Sequence, residues 1–360
     1  MTDLEEDDRS AAESRGAGEV TKRTSGSKIR VLLAVAVTLL CIWYAARGIP
    51  FASVVDAIRA ANFWGLLLLS APFYVWSNYV RALRWRHLTN PIADLGHPVL
   101  YRATAVGFMV NNLLPLRLGE FARSWMLHRE TGVPLGSVIG TVALERVLDA
   151  VTVLCLALGA LSMVERNSDL GGVLQQGSML LLPLALVPIC LVALMRVAPE
   201  FVIRASLWVL RPLPLRYQQI IESALRSFSR GLAALSGGRH LFWIAWHSIV
   251  LWLVTATAPF LLGFWAFRLD LGSFWESLLS SWVLLGAVGV AVALPSAPGF
   301  IGPYQLAFKA VLIRFGVDPA TALAMGIVVW FVFWLSMTLQ GVVAVRYSRV
   351  RLADLLRPRR

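Results

Sequence analysis

Long apolar runs dominate the chain and alternate with short polar segments. Six runs are long enough to cross about 30 Å of hydrocarbon as single helices, and they lie near residues 30–47, 63–84, 135–163, 174–196, 240–267 and 319–346. Two further apolar regions, 99–128 and 274–315, are each interrupted in the middle by proline, glycine and polar residues. The pattern predicts an all-α polytopic membrane protein.

The two interruptions, residues 111–120 and 295–305, place helix-breaking residues inside strongly hydrophobic sequence. A membrane tolerates an interrupted helix only where protein or water satisfies the free backbone groups. Matching interruptions in the two halves of a chain indicate the binding site of a transporter. We therefore expect function to lie at these two stretches.

Composition supports a membrane location. The chain is 58% hydrophobic and 15% charged, with a mean hydropathy of +0.68, whereas soluble domains are roughly 25% charged. The net charge of +12 comes from 33 basic and 21 acidic residues. In a membrane protein this balance indicates basic cytoplasmic loops and contact with anionic lipid, and we expect no nucleic-acid partner.

The polar segments divide the chain further. We predict a disordered cytoplasmic tail (1–28), a transmembrane domain (29–346) of two halves (about 29–165 and 173–346), and a basic cytoplasmic tail (347–360). Within the second half, residues 199–238 mix arginines with large apolar side chains. This pattern predicts amphipathic helices lying on the cytoplasmic face of the membrane.

The distribution of arginine predicts the orientation, because short cytoplasmic loops carry the positive excess. Arginines follow the second and fourth runs and close the chain, so both termini should be cytoplasmic. Region 99–128 then enters and leaves the membrane on the cytoplasmic face. Region 274–315 enters and leaves it on the external face. This gives six full spans plus two oppositely oriented re-entrant helical hairpins, in an inverted repeat that places Lys309 and Arg314 near the external face. The alternative is eight full spans, which the charge rule does not separate from the first arrangement.

Three ionisable residues, Glu145, Arg146 and Asp149, fall in the middle of the 135–163 run. Glu145 lies about 15 Å into that helix, at a rise of about 1.5 Å per residue. Charges at this depth are costly and usually functional. The alternative interpretation is an ion network that only holds helices together.

The first interruption carries Arg117, Glu120 and Arg123 at three-residue spacing. If the segment after Pro115 is helical, they share a face, and the two arginines can bind a phosphate. The alternative is a cluster of arginines that reach to lipid headgroups at the membrane edge. For Arg81 and Arg84, at the end of the second run, anchoring and phosphate contact are equally open.

The amide side chains of Asn111 and Asn112 can satisfy the broken backbone or contact a ligand, and we expect capping. Pro115 and Gly119 complete the predicted break in this stretch.

The second interruption is uncharged. We predict a neutral gate of irregular backbone that ends in two polar side chains. Its residues are Pro295, Pro298, Gly299, Gly302, Tyr304 and Gln305.

Motifs of hydrolases, metalloproteases and nucleotide-binding enzymes are absent from the sequence, and its five histidines are scattered along the chain. We therefore expect no enzyme activity, no metal and no cofactor, and we expect His247 to be a hydrogen-bonded core residue.

Three motifs together resemble the flippase-like transmembrane family found as the amino-terminal half of lysylphosphatidylglycerol synthases. They are Asn112-x-x-Pro115-x-Arg117-x-Gly119-Glu120-x-x-Arg123, Glu145-Arg146-x-x-Asp149 and Pro298-Gly299-x-x-Gly302. The resemblance covers about residues 30 to 346. It implies a lipid translocator, since members of the family move aminoacylated phosphatidylglycerol between leaflets and others accompany polyprenyl-linked sugar pathways.

Two departures qualify this implication. The sequence resembles a stand-alone member without the synthase domain, so we expect a separate lipid-modifying synthase to make the substrate. Gln305 stands where the family usually has glutamate, which removes a possible cation or proton site. Our leading hypothesis is a flippase of the cytoplasmic membrane for a phosphate-bearing lipid, and the alternative is a non-transporting scaffold for a cell-envelope lipid or glycan pathway.

Overall fold

The structure is a computed structural model that describes residues 32–115, 117–163, 187, 190–191, 193–234, 238–293 and 296–348. All regular structure in these residues is helical. The helices are α1 (Leu32–Ala46), α2 (Phe51–Ala60), α3 (Phe63–Thr89), α4 (His97–Leu113), α5 (Gly119–Thr131), α6 (Leu135–Met163), α7 (Pro199–Val209), α8 (Leu215–Ala234), α9 (Arg239–Ala266), α10 (Phe274–Ala293), α11 (Pro303–Leu312) and α12 (Pro319–Arg346).

The predicted interruption of the first broken region is present. Helix α4 ends at Leu113, and Leu114 is extended with φ −116° and ψ 145°, as expected for a residue before a proline. Helix α5 begins only at Gly119, and Arg117 adopts a left-handed backbone with φ 54°. The expectation that Arg117 shares a helix face with Glu120 and Arg123 is therefore wrong, because the helix starts two residues too late.

Helices α4 and α5 form a hairpin whose arms pack closely. A side chain on Gly119 would collide with the carbonyl oxygen of Gly107 and with the side chain of Asn111. The amide of Gly119 donates to Asn111 Oδ1 at 2.7 Å, so Asn111 satisfies a free amide at the start of α5. The predicted capping role of Asn111 is confirmed.

The second broken region also forms two packed arms, α10 and α11. Between them Gly299, Phe300 and Gly302 all have positive φ, at 69°, 63° and 94°. This backbone favours glycine, so Phe300 is strained there. Pro298 and Gly299 lie in a single 3₁₀ turn, and Pro295 is outside the described residues.

Helix α12 packs against both hairpins. It runs antiparallel to α4, since Gly341 meets Met109 while Trp334 meets Asn112. It is also antiparallel to α11. Phe308 on α11 lies on Gly326, whereas Gly299, just before α11, lies against the rings of Trp330 and Trp334 further along α12. Both interruptions therefore lie beside the middle of α12, and the two hairpins reach it from opposite ends.

The apolar character of the long helices agrees with a multi-pass membrane protein. Among the described residues, three helices are long and apolar enough to cross a membrane, namely α9, α10 and α12, and a fourth crossing results if α1 and α2, bent by 82° to each other, count as one. The number of spans and the re-entry of the hairpins stay predictions, as do the predicted orientation and cytoplasmic termini. The predicted tails, except residues 347–348, lie outside the described residues, as do the loop around 165–172 and most of the 174–196 run.

Two smaller contacts involve the ends of helices. Within the predicted 199–238 segment, residues 199–209 and 215–234 form α7 and α8, and their position on the cytoplasmic face stays a prediction. Helix α8 packs on the start of α6, where Gly136 and Gly140 leave room for Ser223 and Ser227. Lys309 donates to the carbonyl oxygens of Tyr44, Ala45 and Arg47 at the end of α1. A lysine there satisfies carbonyls that the helix leaves free.

Candidate functional site

The centre of the bundle holds a cluster of buried charges, here called the ionic cluster, on α3, α5 and α6. Its carboxylates are Glu145 and Asp149, one helical turn apart on α6. The guanidinium nitrogens lie between 2.5 and 3.5 Å from the carboxylate oxygens, and they belong to Arg81, Arg84, Arg123 and Arg146. Of the predicted headgroup-binding residues, these six are brought together.

Burial distinguishes the members of the cluster. The side chains of Glu145 and Arg84 are fully buried, whereas 36% of the Arg146 side chain is exposed. The shortest pair on α3 joins Arg84 Nη2 to Asp149 Oδ1 at 2.7 Å, and α5 contributes Arg123 Nη2 to Glu145 Oε2 at 2.9 Å. The hairpin is thus tied to α6 by an ion pair.

Aromatic rings surround the cluster. The Arg123 guanidinium lies 4.7 Å from the ring centre of Trp85, and the Arg81 guanidinium lies between the rings of Phe108 and Trp252. The Trp252 indole also donates to Asp149 Oδ1 at 3.2 Å. Cation–π contacts of this kind stabilise arginines away from water.

Positive charge exceeds negative charge in this cluster. Four guanidiniums face two carboxylates, an excess of two positive charges among the described residues that form its ion pairs. The next acid, Glu120, accepts from Asn111 Nδ2 at 3.2 Å. It lies close enough to interact electrostatically with Arg117 and Arg146, and adding Glu120 and Arg117 leaves the excess unchanged.

Unpartnered donors accompany the excess charge. The buried Nε atoms of all four arginines lack a hydrogen-bond partner. Buried donors are normally satisfied, and leaving one unsatisfied costs about 1–3 kcal/mol. The cluster therefore has both the charge and the free donors that an additional oxyanion requires.

The space beside the cluster is small. A cavity of about 20 Å³ lies between Gly107, Asn111, Glu120, Arg123 and Arg146. This volume holds roughly one water molecule. The described conformation therefore has no room for a lipid headgroup at this position.

The other predicted residues of the first stretch take different positions. Asn112 does not face the cluster, because its Nδ2 donates to Trp334 O and Thr338 Oγ1, both at 3.1 Å. Arg117 lies over the ring of Phe300, 5.5 Å from its centre. This contact joins the tips of the two hairpins, and both of its residues have positive φ, at 54° and 63°.

The second stretch is neutral, as predicted. Gln305 Oε1 accepts from the amide of Gly302 at 2.7 Å, and Tyr304 stacks on Phe308 with ring centres 5.0 Å apart. Trp330 donates to the carbonyl oxygen of Gly299 at 2.6 Å. The Trp330 bond holds the break against α12, whereas Gln305 satisfies a backbone amide within the break itself.

Comparison with known proteins agrees with the sequence motifs. The profile of a family described as the lysylphosphatidylglycerol synthase TM region matches residues 31–341. The chain belongs to this family. The matched range contains every residue of the ionic cluster and both interruptions, so the predicted resemblance is confirmed.

A curated relative carries the name glycosyltransferase AglD and comes from Haloferax volcanii. It is 25% identical over 334 residues, covering 82% of this family member and 51% of AglD. The chain thus spans about half the length of the relative that it matches. No solved structure matches the chain significantly.

One group of this family member was missed by reading the sequence. The histidines do not stay scattered, because His87 on α3 meets His240 and His247 on α9, with ring centres 5.6 and 5.5 Å apart. The spacing of seven places His240 and His247 on one helix face, but nothing local predicts His87 beside them. The expected core role of His247 is confirmed by its 2.6 Å bond to Trp243 O. Among the described residues, no group of His, Cys, Asp or Glu is arranged to hold a metal ion.

Proposed function

We propose that this protein moves a phosphate-bearing lipid headgroup across the cytoplasmic membrane without covalent catalysis. The observation that carries the proposal is the buried excess of two positive charges in the ionic cluster. An aminoacylated phospholipid and a polyprenyl-linked glycolipid both present phosphate, and either fits. The lipid tails stay in the bilayer, so only the desolvation of the headgroup has to be offset.

The energetics favour an anion as the missing partner. A buried charge without a partner costs several kcal/mol. A phosphate offers oxygens to several guanidiniums at once, and bonds between ionised partners are about twice as strong as neutral ones. The four unpartnered Nε groups supply donors for these oxygens, while Glu120, Glu145 and Asp149 supply acceptors for cationic or hydroxyl substituents.

The arrangement of the hairpins supports movement through the protein. Their interrupted ends lie beside the middle of α12 and reach it from opposite ends, as in transporters built from inverted repeats. Rocking of the α4–α5 hairpin would separate Arg123 from Glu145 and open the small cavity between them. The Arg117–Phe300 contact would then act as the gate between the two tips.

Translocation in proteoliposomes tests this proposal. A fluorescent phosphatidylglycerol labelled on one acyl chain is placed in both leaflets, and dithionite added outside reports how fast the inner pool is reached. We expect Arg123→Gln to slow this exchange at least about tenfold, since a hydrogen bond to a charged group contributes about 1.5–3 kcal/mol.

The control is Arg86→Gln, which removes an arginine of an exposed ion pair with Asp94. It should exchange lipid at the wild-type rate. Equal rates for wild type, Arg123→Gln and protein-free vesicles would refute translocation by this route.

The second candidate is a scaffold that binds a separate lipid-modifying or glycan synthase. Its support is the exposed outer surface of α7 and α8, including Trp208, Leu215 and Tyr217, and the printed name of the curated relative. A scaffold predicts that Arg123→Gln still functions in cells when its level in the membrane matches that of wild type. It also predicts that polar substitutions at Trp208 and Leu215 abolish function.

A further inference from the structure

A long apolar groove runs between α3, α4 and α12. Its volume is about 710 Å³, within the range of pockets that take small ligands. The walls are mostly aliphatic, and they include Leu67, Val75, Leu335, Leu339 and Val343. In a bilayer such a groove faces hydrocarbon.

The groove has the proportions of an extended chain. It reaches from Leu67 to Tyr79 on α3 and from Leu335 to Tyr347, the residue after α12. Each stretch rises by twelve residue steps, or about 18 Å. One leaflet of a bilayer has about 15 Å of hydrocarbon, half of the roughly 30 Å core, so the length of the groove matches that of one lipid chain.

One end of the groove is polar. Tyr79, His97 and Tyr347 line it, and the rings of Tyr79 and His97 lie 4.4 Å apart. Arg102 lines the same end, where its Nη2 pairs with Glu130 at 2.9 Å and its buried Nε lacks a partner. Aromatic and basic side chains of this kind are typical of the level of lipid headgroups.

We propose that this groove binds one hydrocarbon chain of an anionic phospholipid, with the phosphate at the Arg102 end. The apolar body takes the chain, and the free Nε of Arg102 takes a phosphate oxygen. If the proposed function is correct, the lipid in the groove is the transported lipid. The groove proposal rests on the proposed function only for that identification.

The floor of the groove connects it to the ionic cluster. Gln340 Oε1 accepts from Tyr101 and from Asn78, both at 3.0 Å. Asn78 is fully buried on α3, three residues before Arg81 of the cluster. A lipid held in the groove is thus one helix away from the charges that would receive its headgroup.

Photolabelling in nanodiscs tests the groove. The full-length protein is placed in phosphatidylcholine with a phosphatidylglycerol that carries a diazirine midway along one acyl chain, and adducts are mapped after illumination. We expect adducts to concentrate on Val75 and Leu339, which line the groove. Leu68 and Val342 are as exposed, at 70% and 54%, lie outside the groove lining, and should be labelled far less.

Filling the groove should remove its adducts. The larger ring in Leu339→Trp should expel about two methylene groups of the bound acyl chain from the groove. This corresponds to roughly tenfold lower occupancy of the groove by the lipid. The control Val342→Trp should leave groove labelling unchanged. Ala71→Trp with its control Leu68→Trp repeats the test on α3. Leu339 and its control Val342 are more than half exposed, at 55% and 54%, so neither of these two variants disturbs a packed core.

Three results would contradict the proposal. Uniform labelling of exposed apolar positions, or groove labelling that survives both Leu339→Trp and Ala71→Trp, would show that no chain is bound there. Equal labelling by an uncharged diacylglycerol with the same diazirine would show that Arg102 does not bind the lipid phosphate. Labelling is measured at equilibrium, so it does not depend on translocation. Groove adducts without lipid exchange would therefore refute the proposed function but not the proposal that the groove binds a lipid chain.

Discussion

Replacing Glu145 with glutamine should destabilise the protein far more than replacing Arg146 with glutamine. Glu145 is fully buried and contacts three guanidiniums, those of Arg84, Arg123 and Arg146. Glu145→Gln removes half of the negative charge of the ionic cluster and leaves four arginines facing Asp149 alone. Removing one partner of a buried ion pair costs about 3–5 kcal/mol.

Arg146→Gln moves the cluster in the opposite direction. Its side chain is 36% exposed, and its loss reduces the excess positive charge from two to one. The lost attraction is screened by solvent, so we expect a cost of about 0–1 kcal/mol. Glu145→Gln keeps the size of the side chain, and Arg146→Gln shortens a side chain that is partly exposed, so the two variants differ mainly in the sign of the charge removed and in burial.

Thermal unfolding of detergent-solubilised protein, followed by size-exclusion chromatography after heating, measures the difference. We expect the midpoint to fall clearly for Glu145→Gln and little for Arg146→Gln. Glu222→Gln, which removes a carboxylate from the exposed pair with Arg226, should match wild type. An Arg146→Gln variant as unstable as Glu145→Gln would refute the reasoning, because it would show that the cluster carries no excess of positive charge.

Three further predictions concern the hairpins. Gly119→Ala should cost about 1–3 kcal/mol by forcing α5 away from Gly107, whereas Gly159→Ala, whose added carbon meets open space, should not lower the midpoint in the same unfolding assay, because a helix interior favours alanine over glycine. Asn111→Ala should cost about 1 kcal/mol through the lost bond to the Gly119 amide, and no change in midpoint would contradict the capping role. Single cysteines beside Gly119 and Gly302 should react with a membrane-impermeant maleimide from opposite sides of vesicles, and labelling from one side would reject opposed hairpins.

Local chemistry made much of the fold predictable from sequence. Apolar runs long enough to span gave helices, and Pro115 forced Leu114 into an extended conformation that ends α4. The glycines of the second stretch adopt positive φ as their sequence suggests. These features depend on neighbouring residues, so one sequence is enough to find them.

The site was predictable only in part, because its geometry is set by contacts between distant helices. The carboxylates Glu145 and Asp149 stood out as charges within an apolar run, but no local pattern pairs Arg123 with Glu145 or places Trp252 on Asp149. Arg117 was expected in the site because of its spacing. The late start of α5 turned it towards Phe300 instead.

The most direct test of the central claim is the selectivity of translocation for charge. Exchange rates of phosphatidylglycerol and of an uncharged glucosyl diacylglycerol with the same chains are measured in the same proteoliposomes. The buried excess of positive charge predicts at least about tenfold faster exchange of the phosphate-bearing lipid, since bonds to a charged group contribute about 1.5–3 kcal/mol, and a smaller ratio in Arg123→Gln. Equal rates for the two lipids in wild type would contradict the assignment of the ionic cluster to a phosphate headgroup.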